Sequence, residues 1–329
     1  MSGKVLFVDD EEQILNSLER LFADTGIEVL RAGSAAEALP LFDREEIGVV
    51  VSDNMMPGMR GLDFLGELKT IAPQTVKILM TAYADLSTAL EAINRGEVYR
   101  FVVKPWDNDE LLATVGQALN RYRTLTALAR EDEAILHSLA QTIELKDPYT
   151  KGHCARVASY ALMIAAELGL SAVQSKDIRY GSWLHDCGKI GVPEAILSFG
   201  GPLSNRDFDT MKKHPAWGAE VARQARLAPT VIDVILRHHE RFDGQGYPDG
   251  LAGEAIPLAA RIVAVADIYD AITSERPYRR AFPWLRGIEI LQSMKGGALD
   301  PALVDTFVTA LKKKGLLPKD TIGGKESHG

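Results

Sequence analysis

The chain has 329 residues, enough for two domains at the usual size of roughly 100 to 200 residues each. With 46% hydrophobic and 25% charged residues it has the composition of an ordinary globular protein, which excludes a disordered or fibrous chain. A formal charge of -8 argues against general DNA binding and against an anionic membrane surface, which require a basic face, and leaves room for a small anion captured locally.

The opening MSGKVLFVDDEE sets acids directly after a short apolar run, the reverse of a secretory signal. No apolar run approaches the roughly 18 residues of a membrane span. Cys154 and Cys187 are the only cysteines, too few for a disulfide framework, so a reducing cytoplasm is the expected compartment.

From Lys4 to about Arg121, the runs KVLFV, EVLRA, IGVVVS, KILMTA and RFVVK alternate with amphipathic stretches such as Gln13 to Phe22. Strand and helix periods in alternation predict a doubly wound α/β domain with a five-stranded parallel sheet. Asp9 and Asp10 follow the first strand, Asp53 the third, Thr81 the fourth and Lys104 the fifth, so all five gather at the carboxyl rim of the sheet. Three carboxylates at one rim repel one another unless a hard cation such as Mg2+ sits between them. Any one of these acids alone would more readily be read as a turn cap; their joint placement favours a phosphoryl-accepting pocket.

The stretches VDDEE, SDNMMPGMRG, MTAYAD and FVVKPW resemble the receiver domain of response regulators, over residues 1–122. The resemblance implies that Asp53 is the phosphoacceptor and that Asp9 and Asp10 hold Mg2+ with it. It also implies that Thr81 and Phe101 form the switch pair, that Lys104 offsets the phosphoryl charge, and that Pro105 follows a cis bond. A sensor histidine kinase is the implied upstream partner.

A helix is expected from Asp109 to Leu145, ending near Pro148, with residues 123–145 as a linker. Leu125, Leu128, Ile135 and Leu139 fall near heptad spacing, interrupted by Asp132 and Thr142. The pattern suits either a homodimer through this helix or a helix packed on its own domain.

Residues 146–317 read as an all-α domain with Gly/Pro-rich connections, and residues 318–329 as a disordered tail. Five of the seven histidines lie between His153 and His239, and three of these stand in helical phase with apolar residues. His153 precedes Val157, Ala161, Ile164 and Leu168; His238 extends the stripe of Val231 and Ile235, and His239 that of Ile232 and Ile235. His137 and His328 are expected in solvent. Asp267 and Asp270 sit in the apolar run RIVAVADIYDAIT, where a carboxylate is expected to be buried and so needs a metal or cationic partner. His185 and the adjacent Asp186 can serve two neighbouring metals. A single such histidine would more often be a core residue; five with two acids point to a metal centre. Imidazoles and carboxylates without clustered thiolates suit divalent iron, manganese, nickel or zinc, and affinity order alone does not choose among them.

LKDPYTKGH, LHDCGKIGVP, KKHPAWG, HHERFDGQGYP and ADIYDAITSERPYRR closely resemble the HD-GYP subgroup of HD-domain phosphohydrolases, over residues 134–315. Position by position, the resemblance makes His153, His185, Asp186, His214, His238, His239 and Asp267 the metal ligands. Tyr149 stands where some members carry a glutamate associated with a third metal, which favours two metals here. Leu299 replaces a usual phenylalanine, and Cys187 an aliphatic residue.

The resemblance further implies hydrolysis of cyclic di-GMP to pGpG and on toward GMP, with phosphorylation of Asp53 as the control. Two metals roughly 3.5–4 Å apart suit in-line displacement on a phosphodiester. Asp186 and Lys189 are the catalytic candidates, Lys189 donating to phosphate oxygens. Arg276 and Arg279 can take a second phosphate or a guanine edge, and Tyr247 can stack on a base or be a core tyrosine. Two rival readings stay open: a cyclic di-GMP sensor or docking module for diguanylate cyclases with little turnover, and a hydrolase of another cyclic dinucleotide.

Overall fold

The computed structural model describes residues 3–82, 98–146, 151–275 and 281–316. The chain divides into two compact units between Asp132 and Glu133, inside the segment assigned to a linker. Among the described residues no helix is long and apolar enough to cross a membrane.

The first unit holds five parallel strands, β1 (Lys4–Val8), β2 (Val29–Ala32), β3 (Ile47–Asp53), β4 (Val76–Ala82) and β5 (Arg100–Lys104), in the order β2-β1-β3-β4-β5. This doubly wound order reverses beside β1, which leaves a crevice at the carboxyl ends of β1 and β3. Both faces are covered, so the strands read as continuous apolar runs: Val5, Phe7, Val49, Val51, Ile78 and Met80 pack on one side, Leu6, Val8, Val50 and Leu79 on the other. Each fully buried side chain of this size stabilises by about 1.5–3 kcal/mol.

One long helix runs Asn108–Lys146, a residue beyond the predicted span at each end. Its first turns bury Leu111, Val115, Ala118, Leu119 and Tyr122 against the sheet, and between Arg123 and Leu139 no residue is buried. Leu125, Leu128, Ile135 and Leu139 are all exposed. Tyr122 docks the helix where two strands offer no side chain: a Cβ on Gly3 or Gly48 would stand 2.7 or 2.8 Å from its ring. Its hydroxyl donates to Glu46 at 3.0 Å, and burial followed by that bond raises it to about 12.

The second unit is helical, built on Leu258–Thr273, whose Ile262, Val263, Ala264, Val265 and Ala266 are buried in succession. A helix apolar on nearly every side belongs at the centre of a bundle. His153–Glu167, Trp284–Ser293 and Pro301–Lys313 surround it, while Ala172–Leu184, His214–Gln224 and Pro229–Arg237 share a second cluster around Leu184, Ala219, Val231 and Ile235. Two expectations are corrected. Leu168 is exposed because it caps the end of its helix, past the inward stripe that holds through Ile164. His137 is not simply solvated, since its ring lies 4.9 Å from that of Trp183.

Gly48→Ala should lower the thermal midpoint of the first unit through a loss of about 1–3 kcal/mol, because the new methyl must displace Tyr122. Gly116→Ala, on an open helical surface, should raise it through about 0.5–1 kcal/mol. Differential scanning calorimetry checks both, and equal shifts would refute the docking role of Tyr122.

Candidate metal centre and receiver pocket

In the first unit, the carboxyl ends of β1, β3 and β5 bring three groups together. Lys104 Nζ lies 2.7 Å from Asp9 Oδ2 and 2.5 Å from Asp53 Oδ1. Asp53 Oδ2 accepts the Met55 amide at 2.6 Å, and Asp9 Oδ1 accepts that of Glu11 at 3.0 Å. Burial pushes Asp9 up against the pull of Lys104; burial would lower Lys104, but its two carboxylate partners raise it. Asp10 is exposed at the rim. These donors are all oxygens, the set a hard cation takes, and they fit Mg2+. Thr81 is buried, and Phe101 pairs with Leu79 in register, which puts Phe101 and Thr81 on one face of the sheet. The Lys104–Pro105 bond is cis, as the resemblance implied.

In the second unit, helix ends deliver most of the predicted ligands. His153 opens its helix behind Gly152, His185 caps the end of Ala172–Leu184 with Asp186 next, His214 opens His214–Gln224, and His238 caps Pro229–Arg237 with His239 next. Asp267 alone comes from mid-helix, and at 17% side-chain exposure it is less buried than its apolar surroundings imply, because it faces the centre rather than the core. Two close crossings set the spacing. A Cβ on Gly181 would lie 2.7 Å from Val234 Cβ, and one on Gly188 would lie 1.9 Å from the His214 carbonyl oxygen, so no other residue lets these elements approach. The first crossing brings the rings of His185 and His238 to 5.0 Å, and the second sets His214 beside Asp186.

Asp186 stands between two sets. Its Oδ2 is 3.5 Å from His185 Nε2, and its Oδ1 is 3.3 Å from His214 Nε2 and 4.0 Å from His238 Nε2. Asp186, His214, His238 and His239 present ligand atoms within 4.8 Å of one another, and so do His153, His185 and Asp186. Asp267 Oδ1 completes the second set at 3.3 Å from His153 Nε2 and 4.0 Å from His185 Nε2.

The ring tautomers follow from the partners of Nδ1. His185, His214 and His238 each turn Nδ1 to a backbone carbonyl, of Ser182 at 2.7 Å, Met211 at 2.8 Å and Ile235 at 3.0 Å, and a carbonyl can only accept. His153 Nδ1 donates to Asp270 Oδ2 at 2.7 Å. The rings of His185, His214 and His238 therefore turn Nε2 toward the centre, as does that of His153. The Nε2 atoms of His214 and His238 stand 3.4 Å apart. The donor set fits divalent metal ions.

The charges agree with that reading. Burial alone would raise Asp186, but Lys189, His185 and His214 pull it well below the usual carboxylate range. Burial, then neighbouring histidines, pushes His238 far down, and burial brings His239 to about 4. Burial opposes a charged His153 too, yet Asp267 and Asp270 lift it to about 10. The field that favours a proton on that ring favours a metal cation equally.

Lys189 Nζ sits 2.6 Å from Asp186 Oδ2, at the edge of the centre. The Tyr247 ring lies 4.8 Å from that of His239 and 6.5 Å from Phe208. Arg276, Arg279 and Tyr149 lie outside the described residues. Arg156 and Glu240 escaped the sequence reading, whereas Asp270 was expected as a buried acid in need of a cationic partner. Asp270, which orients His153, is itself held by Arg156 Nε at 2.6 Å and Ser274 Oγ at 3.1 Å. Arg156 stands three residues after His153, and Asp270 three after Asp267, so helical phase was the available signal. Buried Glu240, next to the His238–His239 pair, accepts the amides of Asp249, Gly250 and Leu251 at 2.7–3.1 Å and anchors the loop bearing Tyr247. Leu299 is buried in the core in place of the larger phenylalanine.

A receiver-type α/β unit thus shares a chain with a helical unit whose His/Asp clusters are compatible with divalent metal ions, and known families match in the same places. The response regulator receiver domain matches residues 5–116 and the HD domain matches residues 137–303. The cyclic di-GMP phosphodiesterase response regulator RpfG of Xanthomonas campestris pv. campestris is 34% identical over 328 residues, 92% of this chain and 86% of the relative. The cyclic di-GMP phosphodiesterase of Thermotoga maritima is 30% identical over 336 residues, 94% and 90% of the two chains. A 3'3'-cGAMP-specific phosphodiesterase 3 of Vibrio cholerae is 36% identical over 188 residues, 57% and 40%. The chain belongs to the response regulators that join an N-terminal receiver domain to a C-terminal HD domain.

Asp270→Asn should weaken metal binding by about 10–100-fold, the usual effect of removing a carboxylate that orients a ligating imidazole. Titration of chelator-stripped protein with Mn2+ reads this directly, and wild-type affinity would remove His153 from the ligand set.

Proposed function

We propose that this protein is a metal-dependent phosphodiesterase that hydrolyses cyclic di-GMP to pGpG, and onward to GMP, under the control of phosphorylation at Asp53. One observation carries the catalytic half: the two carboxylate oxygens of Asp186 face two separate sets, His153, His185 and Asp267 on one side and His214, His238 and His239 on the other. Two divalent ions held there, Fe or Mn in preference to Ni or Zn, would lower the pKa of a water and withdraw charge from a phosphodiester.

The chain's own residues do the rest. Asp186 stays ionised and holds the two sets in register. Lys189, fixed against Asp186 at the rim, donates to a non-bridging phosphate oxygen as negative charge develops. Tyr247, stacked toward His239 on a loop tied by Glu240, offers an apolar face to a base. Arg276 and Arg279 remain proposed contacts for the second phosphate or a guanine edge.

In the receiver unit, Asp53 takes the phosphoryl group from a sensor histidine kinase, with Mg2+ held by Asp9, Asp10 and Asp53. Lys104 balances the added charge, and Thr81 with Phe101 answers it. Residues 123–145 serve as the linker, and the exposed heptad positions Leu125, Leu128, Ile135 and Leu139 support a homodimer along it. The rival reading makes the loop around Tyr247 a docking surface for diguanylate cyclases in a chain with little turnover. The relative named for 3'3'-cGAMP favours a second reading in which another cyclic dinucleotide is the substrate.

Purified protein loaded with Mn2+ or Fe2+ under reducing conditions should convert cyclic di-GMP to pGpG, followed by chromatography with 3'3'-cGAMP in parallel. Faster loss of 3'3'-cGAMP would transfer the assignment to that substrate, and no product from either would end it. His185→Ala with Asp186→Ala should abolish turnover in a chain whose circular dichroism is unchanged. Asp53→Asn should stop labelling by acetyl phosphate; labelling that persists at another acid would overturn the receiver assignment.

A further inference from the structure

The last turn of the Asn108–Lys146 helix touches two ligand-bearing segments at once. Glu144 is buried, and its two oxygens divide between two amides: Oε2 accepts Gly152 N and Oε1 accepts Cys154 N, both at 2.7 Å. These amides flank His153. Gly152, at φ 72°, has no side chain to cap the helix that His153 opens, so the cap comes from another helix. A carboxylate there satisfies two of the orphaned N–H groups and faces the positive end of the helix dipole.

Two residues further on, Lys146 Nζ donates to the carbonyls of Ile190 at 2.6 Å and Val192 at 2.9 Å. Those carbonyls close the turn Cys187–Gly191, which begins directly after Asp186 and contains Lys189. All four contacts are charge-assisted, the stronger kind of hydrogen bond. The same unit holds this end of the helix through an ion pair of Glu133 with Arg179 at 2.7 Å and the packing of His137 on Trp183.

We propose that Glu144 and Lys146 are positioning residues for the metal centre, Glu144 fixing His153 and Lys146 fixing the Asp186–Lys189 segment, so that the end of the long helix sets the spacing of the two ligand sets. The inference rests on the metal-centre reading above and concerns ligand placement rather than substrate.

The test uses the full chain, stripped by chelator and titrated with Mn2+ alone, with stoichiometry from calorimetry and spin coupling between ions from electron paramagnetic resonance. Wild type should bind two ions per chain. Glu144→Gln, which keeps shape but turns an amide N–H toward a backbone N–H, should weaken one ion by about tenfold or more and diminish the coupled signal while the other ion stays. Lys146→Met should weaken both ions, because Asp186 serves both sets. Wild-type affinity and coupling in both variants would overturn the proposal, and Lys146→Met decides it if Glu144→Gln does not fold. A wild type that binds two coupled ions yet hydrolyses no cyclic dinucleotide would defeat the proposed substrate and leave this inference standing; a wild type that binds no ion pair would defeat both.

Discussion

The Asp186 carboxylate is the constraint on which the helical unit depends. It is buried among three imidazole Nε2 atoms and one ammonium, and each of its oxygens faces a different group of histidines. Taking a charge of this kind out of water costs several kcal/mol, and removing one partner of a buried pair typically costs about 3–5 kcal/mol. Exposed pairs such as Arg286 with Glu289 contribute about 0–1 kcal/mol each. The decisive electrostatics of the unit are therefore in its centre. A fold built for stability alone would put apolar residues there, so the arrangement makes sense as a site held ready for cations.

That site is assembled from helix ends, and this explains the glycines and the carbonyl contacts around it. A terminal residue has a free backbone neighbour, so a histidine placed there can turn Nδ1 to a carbonyl of the preceding turn and aim Nε2 outward; His185, His214 and His238 all do so. Bringing four such ends to one point requires helices to approach at backbone distance, which Gly181 and Gly188 permit. Asp267 needs no end because its helix is already the core of the bundle. Sequence, packing and chemistry are thus linked through the same few positions.

How much of this was legible in the sequence depended on the range of the interaction. The central strands β1, β3 and β4 were readable because they are buried on both faces and apolar for most of their length; Asp9, Asp53 and Lys104 then fell at one rim by topology alone. The inward placement of His153 and His238 was readable because they stand in helical phase with Val157 and Ile235. Glu144, Lys146 and Glu240 were not, since each acts on backbone amides or carbonyls between 8 and 46 positions away, and such groups leave no residue-specific mark in a sequence. His137 was misjudged for a related reason: its partner Trp183 lies 46 positions on, and no local period connects them.

The long helix shows the same contrast along its own length. Its first turns bury a 3.6-residue stripe from Leu111 to Tyr122, its last turn buries Ala140 and Glu144, and the stretch between buries nothing. A polar or sparsely packed helix gains little from its own propensity, and its order comes from what it is attached to at each end. Here the attachments differ in kind. The sheet end is held mainly by apolar contacts, many and individually weak, together with the hydrogen bond of Tyr122 to Glu46. The other end is held by carboxylate and ammonium groups on fixed backbone atoms beside His153 and Asp186, where a displacement of a fraction of an ångström changes hydrogen-bond geometry and ligand spacing together. The two ends of one helix are thus held by different physics, dispersed apolar packing in the first unit and a few directional charged contacts beside His153 and Asp186 in the second.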